Sequence, residues 1–368
     1  MAVCPMRSPA DTAEVEALFR SGRIRAESVI AMVGKTEGTG LHDDYGRQLA
    51  HVSLAEALAR HLGAEPSAVE ERVTMVLSGG CPGVISPHVT VLSSEWVELD
   101  APSTDKRLVA GRSRSGAIAP EEIGRMGQVR QVAAAVREAV RATGVEDAAD
   151  VHCVMVKAPA LTRAAIRDAE ARGATVVSHD LTTGENGAMC YSNDASALGV
   201  ALALGEVADT DLRDEVIRRD WSLYSEVATT SSGGEQRCAE VLLLGNRSAS
   251  ASKLRIGHAA IRDPIDVEGV KQALRSAGLD FACCPGEEDR RRIVQVFAKL
   301  IVPGSDQVRG RRLTLVDDHS AHLTAKAVGG ALVASVVGDT AVFVSGGEKN
   351  SHQGPPDASP VAAVIRVR

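Results

Sequence analysis

Aromatic side chains are almost missing from this chain: two Trp, three Tyr and four Phe among 368 residues. Proteins that grip single-stranded nucleic acid stack bases on aromatics, and a formal net charge of −7 repels phosphate backbones. No nucleic-acid partner is expected, and the core must be built from Val, Leu, Ile and Ala. Long apolar runs are missing too. No stretch reaches the ~18 apolar residues of a membrane span. The longest, around 195–204, has the length of a buried helix, and the first sixteen residues hold no run of signal length. A cytoplasmic protein with no membrane partner is therefore expected. The seven cysteines, at 4, 81, 153, 190, 238, 283 and 284, are odd in number, irregular in spacing and form no C-x-x-C. That usage points to reduced thiols and away from a structural zinc site.

What is present is a repeat. Three apolar strands end on lysine, at Lys35 (VIAMVGK), Lys157 (HCVMVK) and Lys299 (IVQVFAK). Three later ones end on serine-glycine, at Ser78 (TMVLSGG), Ser231 (VATTSSGG) and Ser345 (AVFVSGG). Each third of the chain follows one order: an amphipathic helix, a strand ending in Lys, a helix of small residues, a strand ending in Ser-Gly. Helices are expected over 11–20, 47–62 (closed by Gly63), 120–143, 162–172, 194–207, 266–277 and 325–337. Strands are expected over 28–34, 73–77, 151–156, 293–298 and 341–344, and they alternate poorly, as strands buried on both faces do. The Lys-to-Ser separation is 43, 74 and 46 residues, so the middle repeat carries an insertion. Boundaries are placed in the polar stretches 111–116 (GRSRSG) and 246–253 (NRSASASK), giving repeats over 1–105, 112–248 and 254–368.

A serine hydroxyl becomes a good nucleophile when a base takes its proton. A lysine is that base once burial or neighbouring cations pull its pKa from about 10.4 toward neutrality. Three lysines meeting at one small cavity would supply both effects. The glycine after each serine lets backbone N–H groups approach a developing oxyanion. The pairs therefore point to acyl transfer at a carbonyl, most simply amide hydrolysis. Taken singly, each pair also reads as a solvated strand end and a turn, and it is the threefold recurrence that separates the two readings. The GKT at 34–36 lacks a glycine five residues before Gly34, where Val29 stands, so no Walker site is expected. Ser250 and Lys253 have S-x-x-K spacing inside a Ser/Ala segment that reads as linker. His88 and His352 read as hydrogen-bonding loop residues, and Asp317-Asp318 and the DPID at 263–266 as turns and caps.

VGKTEGTG with DYGRQLA, then LSGGCPGVISPH, PEEIGR, VKAPALT, ASALG, DWSL, VFAK, VRGRR, VSGG and HQGP run in order over nearly the whole chain. They resemble the cyanuric acid hydrolase/barbiturase family of ring-opening cyclic amide hydrolases. The resemblance implies an α/β (α+β) fold of three homologous sheet-plus-helices repeats about a pseudo-threefold axis, with a central β-barrel-like core and the site on the axis. It implies that the middle dyad is catalytic, with Lys157 as base and Ser231 as nucleophile. Lys35 with Ser78 and Gly79, and Lys299 with Ser345 and Gly346, would grip the other ring carbonyls, and Ser232 would supply an oxyanion N–H. It also implies a homo-oligomer, a tetramer.

Departures from the family pattern carry information as well. The family places an arginine near the start of each small-residue helix. Arg47 holds that position in the first repeat, Asn193 in the second, and Leu323 or His322 in the third, where an apolar ring edge is expected. The family's Mg or Ca ligand, a Glu two residues after the third Lys, is here Ile301, which cannot bind a hard cation. Glu348 or Asp357, with Gln353 and Gly354, are the remaining candidates, and the expectation is that no metal or other cofactor is required. The expected function is ring-opening hydrolysis of a C–N bond in a six-membered cyclic amide, imide or ureide, a small-molecule substrate. Barbiturate hydrolysis, cyanuric acid hydrolysis and non-catalytic ring binding are the alternatives.

Overall fold

Each third of the chain folds into a four-stranded sheet, and the three sheets share one topology. The computed structural model describes residues 1–41, 44–98, 104–182, 184–305, 307–317 and 321–368. Of the Asp317-Asp318 pair, Asp318 lies outside the described residues. The first sheet holds β1 (Ala2–Pro5), β2 (Val29–Thr36), β3 (Thr74–Gly79) and β4 (His88–Ser93) in the order β1-β4-β2-β3. The second holds β5 (Arg107–Ala117), β6 (Val151–Pro159), β7 (Ala228–Gly233) and β8 (Cys238–Arg247) in the order β5-β8-β6-β7. After β9 (Leu254–Ile261) and β10 (Ile293–Val302), a small separate hairpin is formed by β11 (Gln307–Val308) and β12 (Arg311–Arg312). With β13 (Phe343–Lys349) and β14 (Ser359–Arg366), the third sheet runs β13-β10-β14-β9. In every sheet the Lys strand and the Ser strand are parallel neighbours, and the other pairings are antiparallel.

Parallel neighbours need a crossover, and helices supply it. The helices are α1 (Ala13–Arg20), α2 (Tyr45–Leu62), α3 (Pro66–Arg72), α4 (Met126–Thr143), α5 (Arg163–Ala171), α6 (Ala188–Leu204), α7 (Val267–Ser276), α8 (Glu287–Arg292) and α9 (Ala321–Val337). Asp44 starts α2 by accepting the Arg47 N–H at 2.9 Å, and Gly63 ends it in the left-handed conformation. Helices α6 and α9 are small and apolar almost all round, which suits helices enclosed by sheet and neighbours. Helix α4 is amphipathic and turns Val129, Val132 and Val136 inward.

Every repeat has a core of its own. A further cluster draws Val33, Val76, Met155, Leu242, Phe297 and Phe343 from all three sheets. The edge strand of each sheet packs on the next sheet: β3 on β6 and β8, β7 on β10, and β13 on β2. This cyclic contact is the pseudo-threefold arrangement that was expected. The barrel-like core is corrected: the sheets stay open and join through side chains around a shared apolar centre, not through a continuous backbone ladder.

Two further expectations change. The stretch 111–116 is not a boundary but part of β5, paired with β8, with Gly111 and Ser113 buried and Arg114 exposed. Ser113 donates to Ala135 O of α4, and the exposed residues Arg114, Gly116 and Ala117 gather at the end of this edge strand. The helix expected over 120–143 is interrupted: a short 3-10 turn (Pro120–Glu122) is followed by Gly124 at φ 75, and α4 begins at Met126. Asp266 caps α7 as expected, accepting the Gly269 N–H. All seven cysteines are free thiols. Among the described residues no helix is long and apolar enough to cross a membrane.

Candidate active site

Lys35 stands opposite Ser78, Lys157 opposite Ser231 and Lys299 opposite Ser345, each as an in-register pair on parallel strands. Opposed residues project from the same face of a sheet, so strand pairing itself sets each lysine beside its serine. Ser78, Lys157, Ser231, Lys299 and Ser345 all line one narrow cavity of about 40 Å³. Lys35 stands behind the wall and donates to Ser78 Oγ at 3.0 Å and to Gly79 O at 3.4 Å. Gly79, Ser232 and Gly346 complete the predicted set on the lining.

The three pairs differ in their surroundings. Burial, then the cation of Lys326, pushes the Lys35 amine well below the ordinary lysine range. Burial and the Arg47 guanidinium pull Lys157 down to about 8, against an opposing pull from Glu235. The Lys157 ammonium donates to Ser232 O at 3.3 Å and lies 3.4 Å from Glu235 Oε1. Burial pushes the Glu235 carboxyl up, but Lys157 and Arg47 outweigh it and hold it at about 2. Lys299 donates to Thr230 O at 2.9 Å and forms an ion pair with Glu348 at 3.0 Å.

The helices add a second ring of polar groups. Arg47 on α2 grips Glu235 with two bonds of 3.0 and 3.1 Å. Asn193 on α6 donates its amide to Glu348, while its Oδ1 is buried with no partner. In the third repeat the expectation of an apolar edge is overturned. The cavity is lined there by His322 and Lys326, whereas Leu323 lies against Gly80 and is not on the lining. Lys326 donates to Gly79 O at 3.2 Å, and burial together with Lys299 pulls it to about 8. Sequence reasoning stopped one helical turn short of it. The signal was available: Lys326 is the lone cation inside AHLTAKAVGGALV, on a helix that is otherwise small and apolar. Glu235 and the buried Asp44 were missed as well, although Glu235 follows Ser231 by only four residues.

Glu348 reaches the cavity because the strand bulges. Leu300 pairs with Gly346 but Ile301 with Glu348, so Gly347 is the extra residue. One extra residue reverses the alternation of faces, and Glu348 lands on the face of Ser345 and Lys299. Only glycine serves at the bulge. Gly346 and Gly347 have φ 120 and 104, and a Cβ would come within 2.1 Å of Leu300 O and 2.3 Å of His322 Cα respectively.

The side chains offered as cation ligands are already bonded within the protein. The Glu348 carboxylate accepts from Lys299, Asn193 and Gln353. Gln353 Oε1 takes the Thr230 N–H at 2.6 Å, and Asp357 takes the Gly304 N–H at 2.8 Å. Gly354 donates its N–H to Ser225 O, and Ile301 is 2% exposed and carries no side-chain oxygen. A hard cation wants about six to eight oxygen ligands. Among the described residues no three His, Cys, Asp or Glu side chains cluster to provide them. His88 and His352 are structural, buried and hydrogen-bonded to Ser86 O and Leu223 O.

A cavity ringed by buried lysines, serines and glycines is suited to holding carbonyls and attacking one of them, and similarity to known proteins agrees. A model of the amidohydrolase ring-opening protein family matches residues 1–366, and the chain belongs to that family. It is 54% identical to a cyclic amide hydrolase of Pseudofrankia inefficax, over 100% of this chain and 94% of that one. It is 41% identical to barbiturase 1 of a Nocardioides species, over 98% and 96%. A solved cyanuric acid hydrolase superposes with a TM-score of 0.93 at 40% identity, over 100% and 98%. The protein is a cyclic amidohydrolase, an enzyme that hydrolyses a cyclic amide and opens its ring.

Proposed function

We propose that the substrate is a six-membered cyclic imide or ureide, with Ser231 as nucleophile and Lys157 as its base. Ser231 Oγ attacks a ring carbonyl and its proton passes to Lys157. Backbone N–H groups near Ser231 and Ser232 hold the oxyanion. The ring C–N bond breaks, the leaving nitrogen recovers the proton, and water releases the acyl-enzyme as a ring-opened acid. Arg47, Lys326, Ser78 and Ser345 hold the remaining polar edge. Glu235 bridges Arg47 and Lys157 and fixes the direction of both. No step is routed through a cation, because the candidate ligands are already bonded to protein donors. The reading is carried by one observation: three in-register Lys–Ser pairs meet at one cavity, and the middle lysine is pulled to about 8, close to working pH.

The test is a screen of cyclic ureides, imides and triazines followed by loss of ring absorbance, with a pH profile on the best neutral substrate. Lys157 must be a free amine to accept the proton, so kcat/KM climbs as pH rises through about 8 and then levels. Glu235→Gln removes the pull that raises Lys157 and leaves the repulsion of Arg47, so the rising limb moves to lower pH. A limb unmoved by that substitution would deny Lys157 the role. A second reading gives the chemistry to Lys35 and Ser78, because that pair has a direct 3.0 Å hydrogen bond and the strongly depressed amine.

A further inference from the structure

The three lysines are not used alike. Lys35 donates to Gly79 O at 3.4 Å and Lys157 to Ser232 O at 3.3 Å, in each case the carbonyl directly after the lysine's own serine. Lys299 reaches into the middle repeat instead and donates to Thr230 O at 2.9 Å, while it also donates to Glu348 at 3.0 Å. These contacts take at least two of its three N–H groups. Thr230 precedes Ser231 on β7, and its C=O belongs to the peptide that joins the two residues.

Strand β7 is the edge of the second sheet and packs on β10 of the third. The Thr230 backbone finds its partners across that boundary. Its N–H donates to Gln353 Oε1 at 2.6 Å, and its hydroxyl donates to Asn193 O at 2.7 Å. Thr230, Gln353 and Lys299 are all buried, so water does not compete for these bonds. The Gln353 amide has one workable orientation. Its Nε2 donates to Glu348 Oε2 at 3.3 Å and to Ser351 Oγ at 3.0 Å. Turning it over would set an oxygen against a carboxylate and an NH2 group against the Thr230 N–H. The backbone around Gln353 is fixed in turn: the Ser225 N–H donates to His352 O at 3.0 Å, and the Gly354 N–H to Ser225 O at 2.8 Å.

We propose that Lys299, Glu348 and Gln353 form a clamp on the Thr230 backbone that holds Ser231 in place for attack. Lys299 is then a positioning residue, and not the ring-carbonyl donor that its place in the repeat suggests. The Gly346-Gly347 bulge delivers Glu348, which links the other two. The inference rests on the ring-opening reading with Ser231 as nucleophile.

The test separates the nucleophile from the ring. Methanesulfonyl fluoride is a small electrophile with no ring to be gripped: Ser231 Oγ bonds to its sulfur, fluoride leaves and the hydroxyl proton passes to the base. Its rate constant at Ser231, located by peptide mass spectrometry, is read on the native enzyme, Gln353→Leu and Lys299→Met, beside kcat and KM for the best ring of the screen. Each variant is expected to slow labelling at least about tenfold and to lower kcat by a similar factor, with KM within about threefold. A loss of stability alone would change the amplitude of labelling and leave its rate constant unmoved. The double variant is expected to lose little more than the worse single one, because both act on one peptide. Labelling at the native rate in either variant overturns the proposal, and so does a loss in Lys299→Met confined to KM, which would make Lys299 a ring donor. If native Ser231 is not labelled, the division between kcat and KM decides. Should Lys299→Met fail to fold with Glu348 left unpaired, Lys299→Met with Glu348→Gln removes both charges and takes its place. If the native enzyme opens none of the screened rings, the ring-opening reading falls and this inference with it. Ring opening with kcat unmoved by the variants sinks this inference alone.

Discussion

Ser231→Ala lowers ring opening at least about a thousandfold, and Lys157→Ala does the same, while both proteins keep their circular dichroism and thermal midpoint. Loss of that size is expected where a nucleophile or its base is removed and only positioning and oxyanion contacts remain. Ser78→Ala and Ser345→Ala lose far less, about ten- to a hundredfold, mainly in KM, because in this assignment their hydroxyls hold carbonyls and are not consumed. The comparison is decisive because the three pairs are alike in register and differ only in surroundings. Lys35 already touches its serine, whereas Lys157 donates to Ser232 O and lies beside Glu235. A larger kcat loss in Ser78→Ala than in Ser231→Ala would transfer the chemistry to the first repeat.

Asp194→Ala is expected to destabilise the fold by about 3–5 kcal/mol, read as a lower denaturant midpoint. Asp194 follows Asn193 on α6 and is 1% exposed. Its carboxylate pairs with Arg218 and accepts from Ser351 Oγ and from the His352 N–H at 3.1 Å. Arg218 also donates to Lys349 O at 3.1 Å and Glu185 O at 3.1 Å, so one ion pair ties the 349–352 loop to the middle repeat. Truncating the acid leaves a buried guanidinium without its counter-charge. Activity should fall too, since the same loop carries Gln353, which donates to Glu348. An unchanged midpoint would show that this network does not hold the loop.

The Lys and Ser strands could be read from sequence because each is a short apolar run ending in a polar residue, and they became the parallel pair along one edge of every sheet. The antiparallel strands β1, β4, β5, β8, β9 and β14 were missed. In β5, RLVAGRSRSGA mixes arginine, serine and glycine because the strand lies at a sheet edge and its last residues are exposed. Such a pattern resembles a linker until a partner strand is known. The residues that distinguish the repeats were harder still. Lys326, Glu235 and Glu348 matter through contacts spanning 247, 188 and 155 residues, to Gly79, Arg47 and Asn193. Local propensity contains nothing about such partners. Glu348 was additionally hidden by the bulge, since regular alternation after Ser345 would have pointed it away.

The cyclic packing of three sheets has a consequence for how such a site can diverge. In a homotrimer built from a single repeat, any substitution would appear three times, and a carboxylate beside one lysine would stand beside all of them. Joining the copies in one polypeptide removes that tie. The three helices can then bring Arg47, Asn193 and Lys326 to one cavity. One amine can be tuned by Glu235 while another is neutralised by Glu348. A symmetric scaffold thereby encloses a lopsided cavity, and a mutation can alter one edge of the ligand while the other two are still held as before.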